Sequence, residues 1–392
     1  MKEYKNKSSI NEVIEVLDKF QELYTKKDED LLDDFVENTF SIEPGLAVLG
    51  STMNQWCFNI EDIKKLMKSH WNNENNYWKT VDFKFGGAKI FANENVAWVV
   101  TIGNIKNTLS EDVQIEKTIS EVKGILNKEE KSKEKALDAA KIIASTLKEI
   151  DMGEDYIWPF RFTSVLVKEK DAWKFHQMQF SLDSESWPYR YTDENYDKSI
   201  FEMCKAQSSE EIERIKNVLQ VFQDGYTERN VDYVDDYMKK VFLLDEDLVV
   251  IGTDAEELCL GIEATRGIIE SDWKYWGNFK FNVDDALICA NGDVAYFTTK
   301  AILHRIVSNE TILDWISGST KYTFESDKAP KQKLLVALYN MLDLLCENEK
   351  GETYITPMRF SGVLVKNDGK WLIQHLQYSD YADGMPGVRI TV

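Results

Sequence analysis

Apolar and polar residues alternate with a period of two in a stretch that occurs twice in the chain. In the first copy, an apolar run around Val165 is followed by a short charged turn and a second alternating run that begins at Trp173. The corresponding runs of the second copy surround Val363 and begin at Trp371, 198 residues later. Two alternating runs joined by a turn with Asp or Gly are typical of a β-hairpin. The pattern therefore predicts the same hairpin near the end of each half.

Upstream of the hairpin the period changes. Apolar residues at Val13, Leu17, Phe20 and Tyr24 have the spacing of an amphipathic helix over residues 10–25. Apolar periodicity further along the chain predicts short helices at 30–40 and 60–71, and strands at 47–49, 81–85, 89–92 and 96–102. Helices followed by a run of antiparallel strands indicate an α+β fold.

These elements repeat as well. Phe20 corresponds to Phe222 and Trp71 to Trp273, in both cases 202 residues later. After the tryptophans the spacing falls to 198 residues, so the second copy is shorter in the loop that spans 72–77 in the first. A repeat of this length predicts two domains of ordinary size. We assign residues 1–190 to domain 1, 191–208 to a linker and 209–392 to domain 2.

Between the third long strand and the closing hairpin, each copy has an insertion of about fifty residues, which is too long for a structureless loop in a compact domain. Its second half predicts a helix, because apolar residues share one face and match between the copies. They are Leu137, Ala140, Ile143, Ala144 and Leu147, against Leu335, Leu338, Met341, Leu342 and Leu345. Such a helix either forms a lid or partner-binding element or covers the edge or outer face of the sheet.

Charge and composition exclude several classes of function. The chain has 47 Lys and Arg against 68 Asp and Glu, a formal charge of −21, which would repel nucleic acid and an anionic membrane surface. No segment is long and apolar enough to span a bilayer, and the N-terminus does not have a signal-peptide pattern. The cysteines are scattered singly and predict reduced, buried thiols in a cytoplasmic protein: Cys57, Cys204, Cys259, Cys289 and Cys346. Histidines and cysteines show no metal-ligand spacing, and no phosphate-binding loop is present, so we expect no cofactor.

Three segments together resemble the SnoaL-like branch of the NTF2-like superfamily. They are the strand and Gly-Thr-Asp turn at 250–261, the Gly-Asp-Val-Ala strand at 291–296 and the closing hairpin at 359–379. The first copy departs at the turn, where Gly50 is followed by Ser-Thr. The resemblance implies two tandem cone domains, each with a curved antiparallel sheet wrapped on the N-terminal helices, a pocket between them and an inserted helical segment before the last hairpin. It also implies pairing through outer sheet faces, either within one chain or in a homodimer.

Alternation along the hairpin places its polar residues on one face, as if they lined the mouth of a pocket. In the first copy this face carries Arg161, Thr163, Val165, Trp173, Phe175, Gln177 and Gln179, and in the second Arg359, Ser361, Val363, Trp371, Ile373, His375 and Gln377. Each arginine could hold an anionic or carbonyl group of a ligand. Alternatively, each is a structural residue paired with a carboxylate such as Asp34 or Asp236.

His375 is the candidate for acid–base chemistry, because imidazole titrates near neutral pH. Gln177 occupies its position in the first copy, and His176 would need a shift of register to reach the same face. The alternative is a hydrogen-bonded histidine in a pocket wall. Four aromatic residues on helical faces could line a pocket or belong to the core: Tyr24, Tyr226, Trp71 and Trp273.

Three functions remain open. The first is a noncatalytic module for binding a small apolar or anionic molecule or for association. The second is an isomerase, dehydratase or cyclase acting on an apolar compound in domain 2, with His375 as base, Arg359 as oxyanion partner and Asp236 as orienting residue. The third is a protein-interaction scaffold, and the fold alone does not choose among them.

Overall fold

The computed structural model describes residues 5–71, 79–184 and 209–382. The predicted linker, the loop at 72–77 that is shorter in the second copy, and Cys204 lie outside these residues. The elements of the first half are α1 (Lys7–Lys26), α2 (Leu32–Thr39), β1 (Ala47–Leu49), β2 (Trp56–Cys57), α3 (Ile60–Trp71), β3 (Thr80–Asp82), β4 (Lys89–Ala92), β5 (Val96–Thr108), α4 (Glu111–Leu126), α5 (Ser132–Asp151), β6 (Asp155–Glu169) and β7 (Ala172–Leu182).

The second half repeats this order. Its elements are α6 (Glu210–Glu228), α7 (Val234–Val241), β8 (Val249–Ile251), β9 (Leu258–Leu260), α8 (Gly261–Ser271), β10 (Asn278–Phe281), β11 (Leu287–Asn291), β12 (Val294–Ile306), α9 (Asn309–Glu325), α10 (Pro330–Glu349), β13 (Thr353–Asn367) and β14 (Lys370–Asp380). The π-helical turn Asp272–Trp276 continues α8.

Each half contains one seven-stranded sheet, and the two sheets have equivalent strand orders. The first runs β2-β1-β7-β6-β5-β3 with β4 also on β5, and the second runs β9-β8-β14-β13-β12-β10 with β11 also on β12. The closing hairpins form as the alternation predicts. The sheets are not purely antiparallel, however, because β1 pairs in parallel with β7 and β8 pairs in parallel with β14. The α+β fold predicted from the sequence is confirmed.

The N-terminal helix of each half packs its apolar stripe against the inner face of its own sheet, and we call the region between them the cone of that half. Val13, Leu17, Phe20 and Tyr24 of α1 are all fully buried, so this stripe contributes most of the driving force for docking the helix. A polar clamp also fixes it, since one Glu12 carboxylate oxygen accepts from both the Lys168 ammonium and the Trp173 indole. Glu211 binds Lys366 and Trp371 in the same way in the second half.

A β-bulge divides each closing hairpin into two parts. Val165 pairs with Gln177, whereas Leu166 pairs with Phe175, which leaves His176 as the extra residue. An extra residue reverses the faces beyond it. Trp173 and Phe175 therefore lie in the core of the first half, and Gln177 lies on the outer face. The prediction that these hairpin residues share one face is therefore wrong. The same holds in the second half, where Gln374 is the extra residue.

The insertion is helical throughout, not only in its second half. The first insertion forms α4 and α5, the second forms α9 and α10, and the packing order is α4, α5, α10, α9. The four helices thus join the two insertions. Ion pairs connect the N-terminus of α5 with the C-terminus of α10 at Lys133–Glu349, and the N-terminus of α10 with the C-terminus of α5 at Lys331–Asp151. Helices α5 and α10 are therefore antiparallel.

The outer faces of the two sheets are in contact. Trp98 and Val165 of the first sheet share an apolar cluster with Tyr296 and Val363 of the second. Of the described cysteines, Cys57 and Cys346 are buried, whereas Cys259 and Cys289 are half-buried. None of the helices within the described ranges has the length and apolarity needed to cross a membrane.

Candidate functional site

The polar side chains expected at a pocket mouth lie between the two sheets. Thr163, Gln179, Ser361 and Gln377 are all at least nine-tenths buried. They sit on the outer faces beyond the bulges, so each contacts the other half of the chain rather than its own cone.

Their hydrogen bonds are reciprocal. The Thr163 hydroxyl donates to the Gln377 side-chain oxygen, and the Ser361 hydroxyl donates to that of Gln179 over 2.7 Å. Each glutamine then donates its amide to a serine of the other half, Gln179 to Ser379 at 2.8 Å and Gln377 to Ser181 at 2.7 Å. Because Thr163, Gln179 and Ser181 correspond to Ser361, Gln377 and Ser379, every bond has its counterpart. This is the arrangement of an isologous two-fold interface.

Arg161 reaches from the first sheet into the Gly-Thr-Asp turn of the second half. Its guanidinium donates to the carbonyl oxygens of Gly252, at 2.6 Å, and Asp254. Asp183 of its own half lies 2.8 Å away, with side chains 2% and 5% exposed. Burial, the larger effect, lowers the pKa of Arg161 and raises the pKa of Asp183, while their mutual attraction opposes both shifts.

Arg359 is the counterpart of Arg161 and reaches from the second sheet toward the first half. It is fully buried, donates to the Asp380 carbonyl at 2.7 Å and to the Ser51 carbonyl of the first half at 3.4 Å, and lies over the Tyr381 ring. The aspartates proposed from the sequence as arginine partners are elsewhere: Asp34 and Asp236 are exposed, and Asp236 binds Lys239. That expectation is wrong, because the arginines lie on the outer sheet face and the aspartates on the helices.

His375 lies on the outer face of the second sheet, where Gln177 is its counterpart in the first. Its Nδ1 is 3.2 Å from the Val249 carbonyl, which can only accept, so Nδ1 carries the hydrogen. Burial lowers the pKa of His375 to about 4, which keeps the ring neutral at pH 7. The Gln177 amide donates to the Phe297 carbonyl of the other half at 2.9 Å. His375 and Gln177 both line a cavity of about 10 Å³, which is room for a single water molecule.

The aromatic candidates lie inside the cones. Tyr24 and Trp71 belong to the core of the first half, and Tyr226 and Trp273 to that of the second. The Tyr24 hydroxyl meets Nδ1 of His70, and burial lowers the pKa of that histidine to about 3.

In the second cone, an aspartate, Asp272, stands at the position that matches His70. The Tyr226 hydroxyl donates to Asp272 at 2.7 Å and accepts from the Tyr378 hydroxyl at 3.0 Å. Burial raises the pKa of Asp272 well above its usual range, although the bond from Tyr226 opposes this shift. Asp272 and Tyr378 are not among the site residues predicted from the sequence. The available signal was the spacing of 202 residues, which pairs Asp272 with His70.

Asp380 was also missed. Its buried carboxylate accepts from the Ser184 hydroxyl of the first half, and burial raises its pKa to about 6. No group of three or more potential metal ligands occurs within residues 5–71, 79–184 and 209–382.

Part of the second half matches a known protein family. Residues 215–311, from α6 to the start of α9, match the family described as SnoaL-like domain. The resemblance inferred from the sequence motifs is thus confirmed for this segment. The search of curated proteins found no match.

Solved structures similar to this chain include NTF2-like proteins. One from Shewanella oneidensis is 14% identical, with a TM-score of 0.26, and the match covers 43% of this chain and 98% of the other. An NTF2-like superfamily protein from Salmonella enterica is 12% identical, with a TM-score of 0.28 and coverages of 44% and 92%. A Nostoc punctiforme protein with a cystatin-like fold is 12% identical, with a TM-score of 0.27 and coverages of 45% and 95%.

Proposed function

We propose that this chain, whose second half carries a SnoaL-like domain, is a noncatalytic association module in which the two halves pair within one chain. The observation that carries the proposal is the reciprocal set of hydrogen bonds between the sheets. Thr163 and Ser361 each supply the hydroxyl that the other half's glutamine needs. Buried polar groups are costly unless they are partnered, so these residues suit a permanent contact better than an open pocket.

The placement of the candidate catalytic residues supports the same proposal. His375 and Arg359 lie between the sheets, whereas Asp236 is exposed on α7. A base, an oxyanion partner and an orienting residue must surround one reacting molecule. The cavity beside His375 holds about 10 Å³, which excludes an apolar ring compound at this position.

Cleavage of the linker tests the pairing. A protease recognition sequence inserted within residues 191–208 allows the folded chain to be cut into two halves, which are then analysed by native mass spectrometry. We expect the halves to remain together in a 1:1 complex, and the Gln377→Leu variant to release them at lower denaturant than the Gln223→Leu variant. Gln223 is the matched control, because its side chain is also buried but its hydrogen bonds, to Thr227, Phe279 and Phe281, all lie within its own half. Halves that separate without denaturant, or that reassemble with their own kind, would refute the pairing.

A second candidate function is a small-molecule site in the cone of the second half. It is favoured by the chain of hydroxyl and carboxyl groups formed by Tyr378, Tyr226 and Asp272 within an apolar surrounding. A carboxyl group with a raised pKa keeps its proton to higher pH, and in that form it can donate a hydrogen bond that a carbonyl or other oxygen of an apolar compound would accept.

Native mass spectrometry also tests this candidate. A retained small molecule that is lost from Asp272→Asn and Tyr378→Phe but kept by His375→Gln would support the cone site. Retention unchanged by the cone variants would place the molecule elsewhere.

A further inference from the structure

Exposed apolar side chains are concentrated in the four inserted helices, which we call the helical layer: α4, α5, α10 and α9. Of the 21 large hydrophobic residues that are exposed in the described part of the chain, 11 lie in these helices. They are Val113, Ile115, Ile119 and Leu126 on α4, Ile143 and Leu147 on α5, Leu313, Tyr322 and Phe324 on α9, and Leu334 and Leu338 on α10. Such a concentration on a folded chain marks an interaction surface.

Within each helix most of these residues form one stripe. On α4, Ile115, Ile119 and Leu126 recur at the spacing of one helical face. On α10, Leu334 and Leu338 continue into the half-buried Met341 and Leu345 along a face of the same spacing.

The stripes of α4 and α5 lie on the same side of the layer. The two helices touch where the Thr118 and Thr146 hydroxyls meet at 2.6 Å. Each threonine is followed directly by a stripe residue, Ile119 or Leu147, and preceded three positions earlier by another. Each stripe therefore lies at the same angle around its helix from the threonine contact. Because the two helices are antiparallel, equal angles place both stripes on the same side of the layer.

The second hairpin continues the same surface. Helices α5 and α10 are antiparallel neighbours related by the repeat, and Lys141 and Asp343 form an ion pair between them. The pseudo-two-fold operation that exchanges them keeps their stripes on one side. The exposed apolar surface therefore runs across the contact between the two halves, and this step rests on the internal pairing proposed above.

We propose that the helical layer binds the helical layer of a second copy of this chain. An isologous dimer brings the same surface of both copies together, and an apolar surface is complementary to itself, because stripe then meets stripe. Its size is sufficient: helices of 20 residues are about 30 Å long, and four helices spaced about 10 Å apart give about 900 Å² per copy. A standard stable interface buries about 800 Å² per partner.

The test is the mass of the intact protein, measured by sedimentation and native mass spectrometry over a range of concentrations. We expect a species of twice the chain mass of 45.5 kDa. The double variant Leu334→Lys, Leu338→Lys should raise the dimer dissociation constant at least ~100-fold, since it buries four charges across the two-fold. Lysine is a good helix former, so α10 should persist, which circular dichroism would verify. The matched control is Ile42→Lys, at an apolar residue that is 76% exposed outside the layer and should leave the mass unchanged.

Three outcomes would overturn the proposal: a single-chain mass at every concentration, a dimer that the double variant leaves intact, or a monomer that binds phosphatidylcholine vesicles through the layer. Failure here differs from failure of the internal pairing. The double variant should still keep its two halves together after the linker is cut.

Discussion

Replacing Arg161 by methionine tests whether the first half depends on the turn of the second. Methionine keeps an unbranched, flexible stem but is shorter than arginine and removes its charge and all its donors. Asp183 is then left as a buried acid, and the carbonyl groups of Gly252 and Asp254 lose their donor. Two of these three losses arise only because the halves are in contact.

The magnitude follows from the geometry. Breaking one side of a buried ion pair costs about 3–5 kcal/mol, and a buried carbonyl that loses its hydrogen bond costs about 1–3 kcal/mol. We expect Arg161→Met to lower the free energy of unfolding by about 4 kcal/mol or more. The double variant Arg161→Met, Asp183→Leu removes the stranded acid as well, so it should recover part of the loss and remain about 2 kcal/mol below the natural chain because of the carbonyl groups.

Urea unfolding followed by tryptophan fluorescence measures both variants. The matched control is Arg266→Met, because Arg266 is also paired with carboxylates of its own half, Asp235 at 2.6 Å and Glu270 at 2.7 Å, but its side chain is 36% exposed. An exposed pair is worth less than about 1 kcal/mol. If Arg161→Met is no more destabilising than Arg266→Met, the role assigned to Arg161 is wrong.

Three further predictions concern titration and the second cone. Burial raises the pKa of Asp380 to about 6, so the charged carboxylate lowers the free energy of unfolding as the pH rises from 3.8 through 6. The free energy of unfolding of Asp380→Asn should therefore rise by about 1 kcal/mol relative to that of the natural chain between pH 5 and 7, as measured by urea unfolding at each pH. The pH dependence due to His375 has the opposite sign, because burial lowers its pKa to about 4 and the free energy of unfolding therefore falls as the pH drops below 6.5. The natural chain should lose about 2 kcal/mol between pH 7 and 5 for this reason, and His375→Gln should abolish that loss. Tyr226→Phe removes the hydroxyl that donates to Asp272 and should lower the free energy of unfolding by about 1–3 kcal/mol, and an unchanged value would contradict the hydrogen-bonded chain.

Periodicity and the repeat predict most of the fold, because they depend on local patterns of burial. The prediction from strict alternation fails at the β-bulge, because the alternation does not continue through the extra residue. The sequence does carry the signal: the buried apolar residues are Trp173 and Phe175 before His176, and Met178 and Phe180 after it. The buried set changes from odd to even positions, which only an extra residue allows. This change in the sequence places Gln177 and Gln179 on the outer face.

The partners of Arg161 could not be predicted in the same way. Its acceptors are main-chain carbonyl groups of the other half, about 90 residues further along the chain, and carbonyl groups leave no trace in residue type.

Helix α4 was not predicted from the sequence either. Its apolar stripe is regular but exposed, so the stripe does not mark a core-facing helix. The N-cap is the usable signal, because the Ser110 hydroxyl accepts from the amide of Val113 in the first turn.

The most direct test of contact between the halves is a double-mutant cycle on Ser361 and Gln179. The Ser361 hydroxyl donates to Gln179 at 2.7 Å across the two sheets. If they touch, Ser361→Ala and Gln179→Leu remove the same bond, and their effects on the free energy of unfolding should fall short of additivity by about 1 kcal/mol. The pair Ser361→Ala and Gln223→Leu should add within about 0.3 kcal/mol. Additivity in both pairs would contradict the contact.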